Sequence, residues 1–250
     1  MIIVKNASEL QKIRKSCELA ARTLRHAGEK IAPGISTWEL DRIIREYIVK
    51  NGAKPSFHGY RGFKGNACIS INEELIHGIP SKKRILREGD IVSIDVGAFL
   101  DGWHGDNAAT FRVGMVSDEA EKLLQVTEES LYEAIKIARP GARIGDISYT
   151  VQTFCESRGY HIVKDYIGHG IGRDLHEAPD IPNFGKPGKG PRLTPGMTIC
   201  IEPMVNQTTP NVKTLSDKWT VIEANGNLSA HYEHTIAITE NEPMILTKLD

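Results

Sequence analysis

The sequence predicts an α+β protein made of two similar halves, with helices covering one side of a largely antiparallel sheet. Three observations carry that expectation. Helical stretches interrupted by Pro-Gly pairs occur twice, alternating apolar segments follow each of them, and a shift of 107 positions superimposes the two sets without a gap. Pro33-Gly34 falls on Pro140-Gly141, Leu40 on Ile147, Ile44 on Val151, Tyr47 on Phe154 and Gly52 on Gly159. The same shift carries the segment from Gly89 to Asp95 onto that from Gly196 to Glu202, so an acid falls on an acid.

The elements follow in chain order. Leu10, Ile13, Cys17, Ala20, Leu24, Ala27 and Ile31 recur at helical spacing behind a Ser8/Gln11 capping box, predicting a long amphipathic helix that ends before Pro33-Gly34. A second box, Ser36/Glu39, opens a helix through Leu40, Ile44 and Ile48 to Gly52. Strands are expected at 67–71, 89–95, 103–113, 160–165, 196–202 and 229–239, and a third helix runs from Ser117 towards Arg139. The stretches 181–195, rich in Pro and Gly, and 206–217, polar, read as loops. Neither resembles a long linker, so residues 1–115 and 116–250 are expected to pack as one continuous catalytic domain, with a site at their shared interface.

Composition narrows the function classes. Of 250 residues, 40% are hydrophobic and 25% charged, enough for a sizeable core and too apolar for a disordered chain. The balance of 31 basic against 32 acidic side chains leaves a formal charge of −1, so no global field draws the chain to DNA or an anionic membrane. No apolar run approaches the roughly 20 residues of a membrane span, and the first residues lack a signal-peptide pattern, so a cytoplasmic protein is expected. The four cysteines stand far apart without a C-x-x-C, as suits reduced thiols.

The acids carry the chemistry. A hairpin folded midway between Asp95 and Asp106 sets them opposite one another, roughly 5 Å apart, where like charges destabilise unless they share a proton or a cation. Alone, the pair also fits a solvated sheet face. Glu202 takes the place of Asp95 in the second half, and Glu233 shares the face of an alternating strand with His231 and Thr235. His169, between Gly168 and Gly170, adds an imidazole. Four carboxylates are neutralised by two divalent cations, and oxygen donors with one imidazole suit Mn, Fe, Co or Zn, which points to hydrolysis by metal-activated water. Gly168 to Gly172 lacks the Lys-Ser/Thr of a phosphate-binding loop, and no serine or cysteine has a nucleophile context.

The motifs in order are Cys68-Ile-Ser-Ile-Asn-Glu-Glu-Leu-Ile-His77-Gly-Ile-Pro80, Ile94-Asp95-Val96-Gly97, Gly105-Asp106-Asn107, Gly168-His169-Gly170-Ile171-Gly172, Leu175-His176-Glu177-Ala178-Pro179, Ile201-Glu202-Pro203-Met204-Val205-Asn206 and Tyr232-Glu233-His234-Thr235. From end to end the chain resembles the type I methionine aminopeptidases of the pita-bread metallopeptidase fold. The resemblance implies a dinuclear centre, one divalent ion on Asp106, His169, Glu202 and Glu233 and the other on Asp95, Asp106 and Glu233. It implies water attack on the first peptide bond with Glu202 as proton shuttle, His176 steadying the oxyanion and His77 contacting the scissile amide. Phe57, Tyr60, Cys68, Leu175 and Trp219 would receive the methionine side chain. Phe57 and Leu175 stand where relatives carry Tyr and Phe, and the segment 61–67 is longer than in some members.

The substrates so implied are the N-termini of nascent polypeptides with a small second residue, met by a monomer near the ribosomal exit. Lys82, Lys83, Arg84 and Arg87 form a basic cluster that could touch ribosomal RNA, although a solvated loop is the preferred explanation. Two alternatives keep the same fold. One is an X-Pro aminopeptidase or prolidase, read against because the duplication begins by residue 10 and leaves no N-terminal domain; the other is a non-catalytic binding protein, read against because all five ligand positions are filled.

Overall fold

The computed structural model describes residues 1–249. The first half contributes helices α1 (Ala7–Gly28) and α2 (Thr37–Lys50), then β1 (Lys54–Pro55), β2 (Cys68–Ile71), β3 (Glu74–Ile76), β4 (Ile91–Leu100) and β5 (Trp103–Arg112). The second contributes α3 (Asp118–Ile137), α4 (Ile144–Glu156), β6 (His161–Ile162), β7 (Gly168–Gly170), β8 (Glu177–Ile181), β9 (Thr198–Ile201), β10 (Met204–Asn206), β11 (Val212–Thr214), β12 (Val221–Glu223), β13 (Ser229–His231), β14 (Glu233–Ala237) and β15 (Met244–Ile245). Every strand pair is antiparallel, and the main sheet runs β1-β4-β5-β14-β9-β7-β8.

Local chemistry explains where the helices start. The α1 cap lies two residues before the expected Ser8: Asn6 accepts from Glu9 N while the Glu9 carboxylate accepts from Asn6 N, each at 3.0 Å. Asn and Glu form the reciprocal pair as well as Ser and Gln do, and Glu9 adds a negative charge at the helix N-terminus. The Ser36/Glu39 box and the Ser117 cap stand where the sequence places them. Two expected strands are broken: 160–165 pairs only at His161–Ile162, and 229–239 is interrupted at Tyr232, where the chain passes from β10 as partner to β5 and β9. The loops carry pairing too, since β8 reaches Ile181 and β11 occupies Val212–Thr214.

The duplication is visible in hydrogen bonds. Gly34 N donates to Leu86 O at 2.8 Å and Gly141 N to Leu193 O at 3.0 Å, a pair of contacts related by the same shift as the sequence. Isolated bridges Ser36 to Ile85 and Arg143 to Arg192 repeat the relation. Gly34 and Gly141 both hold a left-handed φ, 96° and 89°, which glycine adopts at little cost. Each half buries its own helix pair: Leu40, Ile44 and Ile48 with Val92, Ile94 and Val96 in one, Leu123, Leu131 and Ile147 with Ile199, Ile201 and Ile236 in the other. Burial of each such side chain contributes about 1.5–3 kcal/mol. The acid-bearing face of the strands points away from these helices and is left for the site.

Close backbone packing of α1 on β5 depends on one residue. A Cβ at Gly105 would stand 2.3 Å from Cys17 N and 2.4 Å from Ser16 C, backbone atoms of a helix that cannot swing aside. Gly105→Ala is therefore expected to lower thermal stability by about 1–3 kcal/mol or more, since it forces the helix off the sheet. Thermal unfolding followed by circular dichroism checks this; an unchanged midpoint would show that α1 yields freely.

Candidate active site

Five neighbouring strands deliver the expected ligands to one cavity. Asp95 lies on β4, Asp106 on β5, Glu233 on β14, Glu202 immediately after β9, and His169 on β7. The register differs from the hairpin read in the sequence. Asp95 pairs with Ala108 and Asp106 with Gly97, because the two-residue turn Asp101-Gly102, with φ of 52° and 84°, joins Leu100 directly to Trp103. Such left-handed pairs match the twist of a hairpin. The displacement is two residues, an even number, so the acids become diagonal neighbours and stay on one face. Ala108 also pairs with Glu233, which puts Asp95, Ala108 and Glu233 in one row across the sheet.

Hydrogen bonds fix this arrangement. The Thr235 hydroxyl accepts from Asp106 N at 3.3 Å and donates to Asp106 O at 2.7 Å. Asn183 Nδ2 donates to the backbone oxygen of Glu202 at 2.8 Å. His169 Nδ1 lies 2.9 Å from Gly170 O, and a carbonyl only accepts, so Nδ1 carries the proton and Nε2 is left as a lone-pair donor. That nitrogen stands 3.6 Å from Glu202 Oε1.

The electrostatics are unfavourable as they stand. Burial and the charges of Asp106 and Glu202 push Asp95 well above the carboxylate range, and burial with its three acidic neighbours does the same to Glu233. Burial raises Asp106 and Glu202 to about 7 each. Asp95 Oδ1, Asp106 Oδ1 and Glu233 Oε1 are buried without a hydrogen-bond partner. Orphaned acceptors and self-repelling carboxylates with a lone-pair imidazole are the donor set of divalent cations, so the residues present fit a metal centre.

Asp106, His169, Cys200 and Glu233 each offer an atom within 4.8 Å of the others. Cys200 was not among the expected ligands. Its thiol contacts the Thr235 hydroxyl at 3.4 Å and packs in an apolar cluster with Ile171, Leu175 and Phe57.

The cavity beside the acids measures about 290 Å³ and is lined by all four of them and by His169. Phe57, Tyr60, Cys68, Leu175 and Trp219, the expected methionine pocket, line it. Phe63, Ile76 and Tyr166, which the sequence reading did not single out, line it too. Phe63 meets Trp219 edge to face at 5.1 Å, and Tyr166 meets His77 in the same way at 5.6 Å. The loop before Cys68 is held by Asp41 of α2, whose carboxylate accepts from Asn66 N at 2.6 Å and Ala67 N at 3.1 Å. His77 and His176 sit on the wall; His176 stacks on Tyr60 at 5.2 Å and lies 4.1 Å from the His169 ring. Burial lowers His77 to about 4, while partial burial and the neighbouring His169 and Arg61 lower His176 to about 3, so both rings are neutral donors at neutral pH. His231 adjoins the acids as well, its Nε2 3.5 Å from Glu202 Oε2.

A cluster of buried acids with one imidazole, beside an apolar cavity in a pseudo-symmetric antiparallel sheet, defines a metallopeptidase of the pita-bread fold. Residues 11–240 match the model of Metallopeptidase family M24, and the chain belongs to that family. It is 53% identical to methionine aminopeptidase 1 of Bacillus subtilis, each chain covered completely, and 50% identical to a methionine aminopeptidase of Clostridium acetobutylicum over 99% of both. Among solved structures, a methionine aminopeptidase from Thermotoga maritima matches at a TM-score of 0.98 and 45% identity over the whole of both chains. The prolidase of Pyrococcus horikoshii matches at 0.81 and 27%, with 65% of that chain covered. Among the described residues no helix is long and apolar enough to cross a membrane.

Proposed function

We propose that this protein removes the N-terminal methionine from nascent proteins and peptides whose second residue is small. The observation that carries the reading is the shape of one cavity, in which an apolar, thiol-bearing pocket of Phe57, Phe63, Cys68, Leu175 and Trp219 adjoins the carboxylate cluster. Aromatic rings and a soft sulfur complement a flexible thioether better than a charged or branched side chain. Full-length identity near 50% to methionine aminopeptidases supports the same substrate.

In this reading Asp106, His169, Glu202 and Glu233 hold one divalent cation and Asp95, Asp106 and Glu233 the other, with Mn, Fe, Co and Zn all compatible. Divalent ions held there would supply a water of lowered pKa and polarisation of the first carbonyl. Glu202, which lines the cavity, would accept the proton of the attacking water and return it to the leaving amine. His176, neutral and lining the cavity, would donate to the oxygen on which charge develops, and His77, lining the same cavity, would donate at the scissile amide. The aromatic walls seat the methionine so that only the first bond of a chain meets these groups. Because Asp95 and Asp106 come from one half and His169, Glu202 and Glu233 from the other, the reading treats the 250 residues as one catalytic unit.

Peptide preference tests this. The protein loaded with Mn, Fe, Co or Zn is expected to cleave Met-Ala-Ser at least tenfold faster than Met-Ile-Ser or an X-Pro peptide, a margin that one or two misplaced methylenes supply. Faster cleavage of the X-Pro peptide would overturn the reading in favour of a prolidase-like enzyme, and no cleavage of any would favour a binding protein.

A further inference from the structure

His231 lies beside the acids and is not among the residues that line the cavity. It is 2% exposed, and its Nε2 is buried without a hydrogen-bond partner. A buried polar nitrogen left unpartnered is costly, and the surroundings identify what it faces. The strand holding it is clamped: His231 N donates to Thr110 Oγ1 at 3.0 Å, the Thr110 hydroxyl donates to His231 O at 2.9 Å, and Ser93 completes the chain at 2.8 Å. His231 also pairs across the ladder with Met204, two residues beyond Glu202. The ring therefore has a fixed base, and Nε2 points towards Glu202 Oε2 at 3.5 Å.

Glu202 thus stands between two imidazoles, one at each oxygen, with His169 Nε2 3.6 Å from Oε1. Asn183 secures only its backbone oxygen and leaves the carboxylate plane free. We propose that His231 is a positioning residue for Glu202: its Nε2–H engages Oε2 and leaves Oε1 turned towards His169 and the cavity. A carboxylate accepts at both oxygens, so without this donor it rotates about its terminal bond and no longer presents one oxygen consistently to the reacting water. The inference deepens the reading of Glu202 as proton acceptor and rests on it.

The test compares His231→Leu, His231→Gln and His231→Asn. The Gln amide reaches towards Nε2's position, while the Asn amide is too short. Each variant is assayed on Met-Ala-Ser for kcat and KM, and titrated with Co²⁺ alone for Kd and visible absorption. His231→Leu and His231→Asn are expected to lose about 10–100-fold in kcat with KM little changed and to weaken and shift the Co²⁺ signal, while His231→Gln keeps most of both. If His231→Leu does not fold, the Gln and Asn pair decides. Equal loss in Gln and Asn would reduce His231 to packing and overturn the proposal, as would unchanged kcat and Co²⁺ affinity in Leu or Asn. A fully active Glu202→Gln would instead overturn the underlying role of Glu202, whereas an inactive Glu202→Gln beside an active His231→Leu overturns the positioning role alone.

Discussion

Glu202→Gln in the metal-loaded protein is expected to lower kcat by about 10²–10⁴-fold, the contribution of a well-placed general acid–base group. The amide keeps the volume of the side chain and one oxygen that can still face His169, but it cannot take up a proton at neutral pH. Glu202 is placed for that transfer because its carboxylate lines the cavity, with Oε1 3.6 Å from His169 Nε2. Asn183 holds the backbone of residue 202 independently of the side chain, so the variant is expected to fold. Steady-state kinetics on Met-Ala-Ser, with metal content and thermal midpoint measured on the same samples, separates the chemical effect from loss of metal. A variant that binds metal normally and retains wild-type kcat would remove Glu202 from proton transfer.

Removal of the metal is expected to reverse the pH dependence of stability. In the metal-free fold Asp106 and Glu202 are raised to about 7, and burial with the neighbouring acids pushes Asp95 and Glu233 well above the ordinary carboxylate range. The folded state then binds more protons than the unfolded one, so these groups contribute stability at low pH that is lost as pH rises through about 7. His77 and His231 are lowered to about 4 from 6.5, and they act oppositely: their contribution is present above 6.5 and is lost as pH falls towards 4. Above 6.5 the carboxylates are unopposed, and the thermal midpoint of the metal-free protein is expected to fall between pH 6.5 and 8. With metal at about a hundred times its Kd at pH 6.5, one occupied site contributes about 2.7 kcal/mol, or about 5–10 °C for a chain of this size, and the same metal concentration contributes more at pH 8, where deprotonated carboxylates bind it more tightly. Calorimetry with and without a chelator reads this directly. A metal-free midpoint that rises with pH above 6.5 would mean the carboxylates are not confined together.

The duplication and the acids were legible because they are written in local patterns. Capping residues, the Pro-Gly pairs and alternating strands depend on neighbours a few positions apart, and the 107-residue shift is a property of the string itself. The Ser8 cap failed by two residues for a local reason, since Asn6/Glu9 satisfies the same rule. The interruption at Tyr232 was not legible, because β13 and β14 differ only in which distant strand pairs with them. His231 and Cys200 carried a usable signal: each lies two residues before a candidate ligand, Glu233 or Glu202, and strand parity places such residues on one face. The signal names a face without naming a neighbour.

By itself the sequence determined the strand faces of the candidate acids and the internal repeat of 107 positions, because strand period and internal similarity need no knowledge of the third dimension. The tertiary structure alone decided which acids oppose which. A two-residue turn moved Asp95 from Asp106 to Ala108, pairing brought Glu233 beside β5, and an imidazole from β13 came to stand against Glu202. Parity is invariant to an even shift of register, so the sequence pattern is the same for either pairing, whereas distances of a few ångström between residues far apart in the chain exist only once turns and sheet order are set.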